Sequence, residues 1–138
     1  MTVGVKRFLV FGTVAALVSF AVAAAGAAPA GAGAIRVTIS SPTHHPKVNV
    51  GWPVTITVTN AAGKPVAGTL TMDVFAGAAG TYPIDSGAHY HFVGRWHEPA
   101  SNLITWPVTS EGYPLAFEVI VKAQGETVRK RWAIDVVG

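Results

Sequence analysis

The sequence predicts an all-β fold: a seven-stranded antiparallel sandwich over residues 35–138, preceded by an N-terminal leader over residues 1–30. Three observations carry this reading. Apolar and polar residues alternate with a period of two through most of the chain after residue 35, the pattern of half-buried strands. Fifteen glycines and nine prolines punctuate the 138 residues at short intervals. Such spacing suits many short strands better than long helices. Only 12% of the residues are charged and 50% are hydrophobic. That balance excludes a disordered chain, a coiled coil and a charge-rich helical bundle.

The leader comes first. Lys6 and Arg7 form a basic start, Phe8 to Ala25 carry no charge, and small residues take over from Gly26 to Ala34. This order is that of a secretory signal peptide, with cleavage expected between residues 25 and 34. Left uncut, the same apolar run is long enough to act as a membrane anchor. The chain has no cysteine. A thioether-linked lipid, disulfides, thiol nucleophiles and thiolate metal sites are therefore excluded. Without Lys6 and Arg7, eight basic residues face seven acidic ones, a net charge of +1. A balance so near neutrality gives no electrostatic footprint for nucleic acid. The expected product is a monomer, secreted or held at the cell surface or in the periplasmic space, and free of the membrane once the leader is cut.

The strands follow in order. Ile35–Ser40 alternates apolar with polar residues. Trp52–Asn60 sets Val54, Ile56 and Val58 against Thr55, Thr57 and Thr59. Gly63 and Pro65 supply a turn. Gly68–Ala76 places Leu70, Met72 and Val74 inward and Thr69, Thr71 and Asp73 outward. The glycine-rich stretch that follows, to Ala88, is predicted as a loop. His89–Val93 is a short strand with Tyr90 and Phe92 as its core pair, so His89 and His91 point outward. Gly94–Ser101 reads as a turn. Asn102–Val108 is the fifth strand, with Leu103, Thr105 and Pro107 set against Ile104, Trp106 and Val108. Pro114–Ala123 turns Leu115, Phe117, Val119 and Val121 to one face, and Glu126–Val137 does so with Val128, Trp132, Ile134 and Val136. Lys130 shares that inner parity, which suits a sheet edge, where a charge discourages further pairing.

Seven short strands at this spacing form the pattern of an immunoglobulin-like or fibronectin-like sandwich. Tyr113, two residues ahead of the inward Leu115, takes the place of a tyrosine corner. The phrases GWPVTITVTNAAGKPVAGTLTMDVF and EGYPLAFEVIVKA make residues 35–138 resemble a secreted bacterial immunoglobulin-like or fibronectin III-like domain. The resemblance implies a Greek-key sandwich and no shared active site. It lacks the Cys–Trp–Cys signature of antibody domains.

Catalytic signatures are sparse. There is no Gly-x-Ser-x-Gly elbow and no phosphate-binding glycine loop. Ser86, His89 and Asp85 lie close in sequence, but adjacency in a loop does not make a triad. A non-enzyme is therefore expected. Of the four tryptophans, Trp132 is a core anchor and Trp52 caps one end, while Trp96 and Trp106 are candidate ligand-contact aromatics. Five histidines follow the leader: His44, His45, His89, His91 and His97. His89 and His91 share a face, and His97 follows through a glycine-containing turn. These three are candidate zinc or copper ligands, because neutral imidazoles bind both ions and a stable zinc site takes three or four ligands. The expected function is an exported, non-catalytic binding or structural module for an extracellular protein or glycan. The alternative is a histidine-based copper or zinc protein on the same scaffold.

Overall fold

The computed structural model describes residues 34–138. The expected signal peptide lies outside the described residues. Strands form at β1 (Ile35–Ser40), β2 (Thr55–Asn60), β3 (Ala67–Phe75), β4 (Thr81–Pro83), β5 (Tyr90–Val93), β6 (Arg95–His97), β7 (Leu115–Ala123) and β8 (Glu126–Ile134). Among the described residues no helix is long and apolar enough to cross a membrane.

All pairings between these strands are antiparallel, in two sheets. β1, β2 and β6 make a three-stranded sheet in that order. In the second sheet β3 pairs with β7, and β8 lies outside β7. The other side of β3 is shared: β5 covers Ala67–Leu70 and β4 covers Asp73–Phe75. The alternation read from the sequence becomes the core. Ile56, Val58, Leu70, Phe117, Val119 and Val121 are fully buried, and Val54 and Met72 nearly so. Each contributes about 1.5–3 kcal/mol of burial.

The edges of the sandwich close differently. On one side Lys130 Nζ donates to the Val37 carbonyl at 2.8 Å, so β8 is tied to β1. The inner parity of Lys130 is thus explained by its edge position. After β1 the chain runs beside the end of β8: Asp135 N donates to the His44 carbonyl at 2.9 Å and Val137 N to that of Pro46 at 3.0 Å. On the other side, β5 and β6 are consecutive but belong to different sheets. Gly94 makes the switch with φ at +71°, and a Cβ there would meet Pro65 Cβ at 2.5 Å. Glycine is required there on both counts.

Three expectations change. Asn102–Val108 is not a strand; it makes single bridges, Ile104 to Trp52 and Trp106 to Val48. Short 3-10 turns at Ala100–Asn102 and Val108–Ser110 bracket it, so no ladder extends. Conversely, β4 and β6 lie in segments read as loop and turn. Each is three residues long, and pairing with β3 or β2 makes it a strand despite its composition. Tyr113 is 62% exposed, so the buried tyrosine corner is not formed.

Candidate functional site

Strand parity places the side chains at the β5–β6 edge. Tyr90 on β5 and Trp96 on β6 turn inward from opposite sheets and meet, ring centroids 5.1 Å apart and tilted by 40°. Glu98 follows Trp96 with the same parity. It is 6% exposed, and among the described residues neither carboxylate oxygen has a hydrogen-bond partner. Burial, followed by the charge of Asp85, pushes its carboxyl up to about 7. An unpaired buried carboxylate is costly, which makes it a marker of sites as well as a structural liability.

Asp85 is held by an unusual backbone. Asp85, Ser86 and Gly87 form one short turn, all three with positive φ, at 51°, 55° and 78°. Glycine adopts this region freely, whereas the aspartate and serine bear a steric cost of about 1–2 kcal/mol each. Strain of this kind clusters where geometry serves a function. The turn presents Asp85 to Tyr90, whose hydroxyl donates to Oδ2 at 2.7 Å. That hydrogen bond is the main reason the phenol is pushed up to about 12.

Asp85 also lines a groove of about 890 Å³. One wall is built from Val74, Ala76, Ala78, Tyr82 and Ile84 around β3 and β4; the other is the 102–115 segment, with Leu103, Pro107, Tyr113 and Leu115. Two side chains pin that second wall into the core: Ile104 at 9% exposure and Trp106 at 2%. Tyr82 and Tyr113 stand 53% and 62% exposed against it. The volume falls within the range of small-molecule and cofactor sites, about 300–1,000 Å³.

The residues expected from the sequence are dispersed. Trp106, expected as a surface contact aromatic, is buried and supports the groove from within. It packs edge-on against Trp52, at 5.7 Å. Trp96 faces inward and is only partly exposed. Trp52 is a core residue, 2% exposed, with its Nε1 donating to the Thr43 carbonyl at 3.0 Å. Trp132 packs partly buried on the core and stacks on His44, with centroids 4.1 Å apart and planes 3° off parallel.

His89 and His91 stand exposed on the outer face of the five-stranded sheet. Their Nδ1 atoms lie 2.9 Å and 3.4 Å from the hydroxyls of Thr71 and Thr69. His97 points outward from β6, on the opposite side of the sandwich, because Gly94 carries the chain between sheets. The three imidazoles are therefore not brought together. Among the described residues no group of three or more His, Asp or Glu side chains is arranged to hold a metal. His89 pairs with Thr71 and Asp85 with Tyr90, so the Ser86, His89 and Asp85 set is not joined either.

On the same outer face Glu118 forms a contrasting carboxylate. It is fully buried and accepts from Arg129 Nη1 at 2.6 Å and Arg131 Nε at 2.5 Å. Burial raises its carboxyl, but these hydrogen bonds and charges more than offset that and hold it low. Arg131 also lies over the Phe75 ring at 3.5 Å. Asp73, one position across the sheet from Glu118, is raised by burial and by the Glu118 charge, with Arg129 opposing.

No family model matches the chain, and no curated protein matches its sequence. Among solved structures, Pseudomonas fluorescens alkylpurine DNA glycosylase AlkC bound to DNA containing an abasic site analog is similar over 73% of this chain, at 14% identity and a TM-score of 0.35. The match spans 30% of that chain.

Proposed function

We propose that this chain is an exported, non-catalytic immunoglobulin-like module that binds a protein partner outside the cytoplasmic membrane through the groove between β4 and the 102–115 segment. The observation that carries the reading is the groove itself: a preformed, mostly apolar concavity, walled by a segment anchored through Ile104 and Trp106. Binding sites are typically concave, apolar and few per protein.

The sheet order supports the immunoglobulin-like Greek key. β1-β2-β6 corresponds to A-B-E, and β3-β7-β8 to C-F-G, with β5 and β4 beside β3 in the C′ position. The leader pattern of residues 1–34 supports export. A mostly apolar lining favours a protein over a glycan, since a sugar needs many directional polar groups. Among the described residues metal binding has only His89 and His91 to rely on, fewer ligands than a stable zinc site takes.

The test is a selection of twelve-residue peptides displayed on phage against the protein secreted with its own leader. An Ala78→Trp variant, whose indole fills the groove, serves as the counter-target. Peptides enriched on the native protein and lost on the variant support the reading. Equal enrichment on both, or none on either, overturns it. Zinc titration of the same sample, with His89→Ala as control, should give no binding tighter than millimolar.

A further inference from the structure

Among the described residues the groove lining has one carboxylate, Asp85, and no Lys, Arg or His. Among the described residues no basic side chain forms an ion pair with Asp85; its recorded partner is the neutral phenol of Tyr90. We propose that the groove receives an extended apolar segment of the partner carrying one lysine or arginine, whose cation docks on the Asp85 carboxylate.

This proposal rests on the binding reading above and adds the chemistry of the occupant. Four features converge on it. The apolar walls suit the aliphatic stem of a long basic side chain and its apolar neighbours, since such stems pack on apolar surface while the head keeps polar company. The Tyr90 hydroxyl fixes Oδ2 of Asp85, so the carboxylate is oriented before binding. Pre-organisation of this kind removes part of the ordering cost of association. Glu98 is more than nine-tenths buried and, among the described residues, has no hydrogen-bond partner for either oxygen. After burial, the Asp85 charge helps to raise the Glu98 carboxyl, and a docked cation offsets that charge. The strained turn 85–87 holds the arrangement in place.

Elsewhere in the fold the chain treats a buried carboxylate differently. Glu118 receives two arginines from its own chain. Among the described residues neither the exposed Asp85 nor the buried Glu98 forms an ion pair. An intermolecular cation is the counterpart that the groove's charge pattern fits.

The best-binding peptide from the display selection is synthesised with each of its lysines or arginines replaced in turn by norleucine. Each version is titrated by calorimetry against native protein and Asp85→Asn. A charge-assisted hydrogen bond is worth about 1.5–3 kcal/mol. One norleucine replacement should therefore weaken binding roughly ten- to hundredfold on native protein and have little effect on Asp85→Asn. Raised salt should weaken the native pair more than the Asp85→Asn pair. Selected peptides that carry no cation, or a cation whose loss costs the same on both proteins, overturn the proposal while leaving the groove reading intact. If no peptide depends on the groove, both readings fall. Binding of an oligosaccharide panel at the groove in place of peptides overturns both as well.

Discussion

Glu98 and Glu118 are almost equally hidden, at 6% and 0% exposure, yet the fold handles them in opposite ways. Glu118 faces out of the five-stranded sheet and is covered by Arg129 and Arg131 from the neighbouring strand. Glu98 faces into the space between the sheets and, among the described residues, forms no ion pair. The difference shows that burial alone does not set a carboxylate's behaviour; the partner does. A paired carboxylate is part of the structure. An unpaired one is a cost that the rest of the core must offset.

The two groups also pull stability in opposite directions with pH. Glu98 is raised from 4.5 to about 7 in the folded chain, so the folded state holds a proton that the unfolded state has lost. Its contribution therefore falls as pH rises from about 4.5 to about 7 and stays low above that. Glu118 is lowered from 4.5, so its contribution is present above that value and is lost as pH falls through the folded value.

The largest expected effect comes from removing the Glu98 charge. Glu98→Gln should flatten the decline above pH 4.5, gaining on the order of 3 kcal/mol at pH 8 relative to pH 4. Urea denaturation across that range measures it; parallel curves for native and variant protein would break the comparison. Next is the conversion of Glu118 into a second unpaired carboxylate. Arg129→Ala with Arg131→Ala should cost about 2–3 kcal/mol at pH 7. The value lies at the low end for a broken buried pair, because both guanidiniums are about half exposed and their loss admits water. The deficit should shrink in acid, where Glu118 is protonated in either protein.

A smaller effect sharpens the role of Tyr90. Asp85→Asn removes the charged acceptor of its hydroxyl, so the phenol should titrate closer to 10, its ordinary value, than to about 12. Ultraviolet absorbance at alkaline pH reads this directly. The same variant should cost about 0.5–1.5 kcal/mol for the weakened hydrogen bond. The smallest effect belongs to Tyr113. Its phenol is exposed, so Tyr113→Phe should change stability by less than about 0.5 kcal/mol, which a denaturation midpoint resolves.

The inward faces were legible in the sequence because alternation is a local property of extended backbone. Val54, Ile56 and Val58, Leu70 and Met72, and Phe117, Val119 and Val121 all turn inward as their period of two requires. The exposure of His89 and His91 follows from the same rule. The candidate site was much less legible. Glu98 shares the parity of Trp96, but that signal has meaning only once Arg95–His97 is known to be a strand, and three residues beside glycine and proline do not announce one. Asp85 reads as an ordinary loop aspartate, since nothing local reveals a turn with three successive positive φ angles.

Sequence alone determined the all-β class and the sidedness of the long strands, because both depend on residues two positions apart. Tertiary structure decided what depends on residues distant in the chain. It set which sheet β6 joins and so sent His97 to the far side from His91. It pinned the 102–115 segment through Ile104 and Trp106, making a groove wall where a strand was expected. Among the described residues it also left Glu98 without an ion pair while giving Glu118 two, because whether a buried charge finds a partner depends on which strand folds beside it.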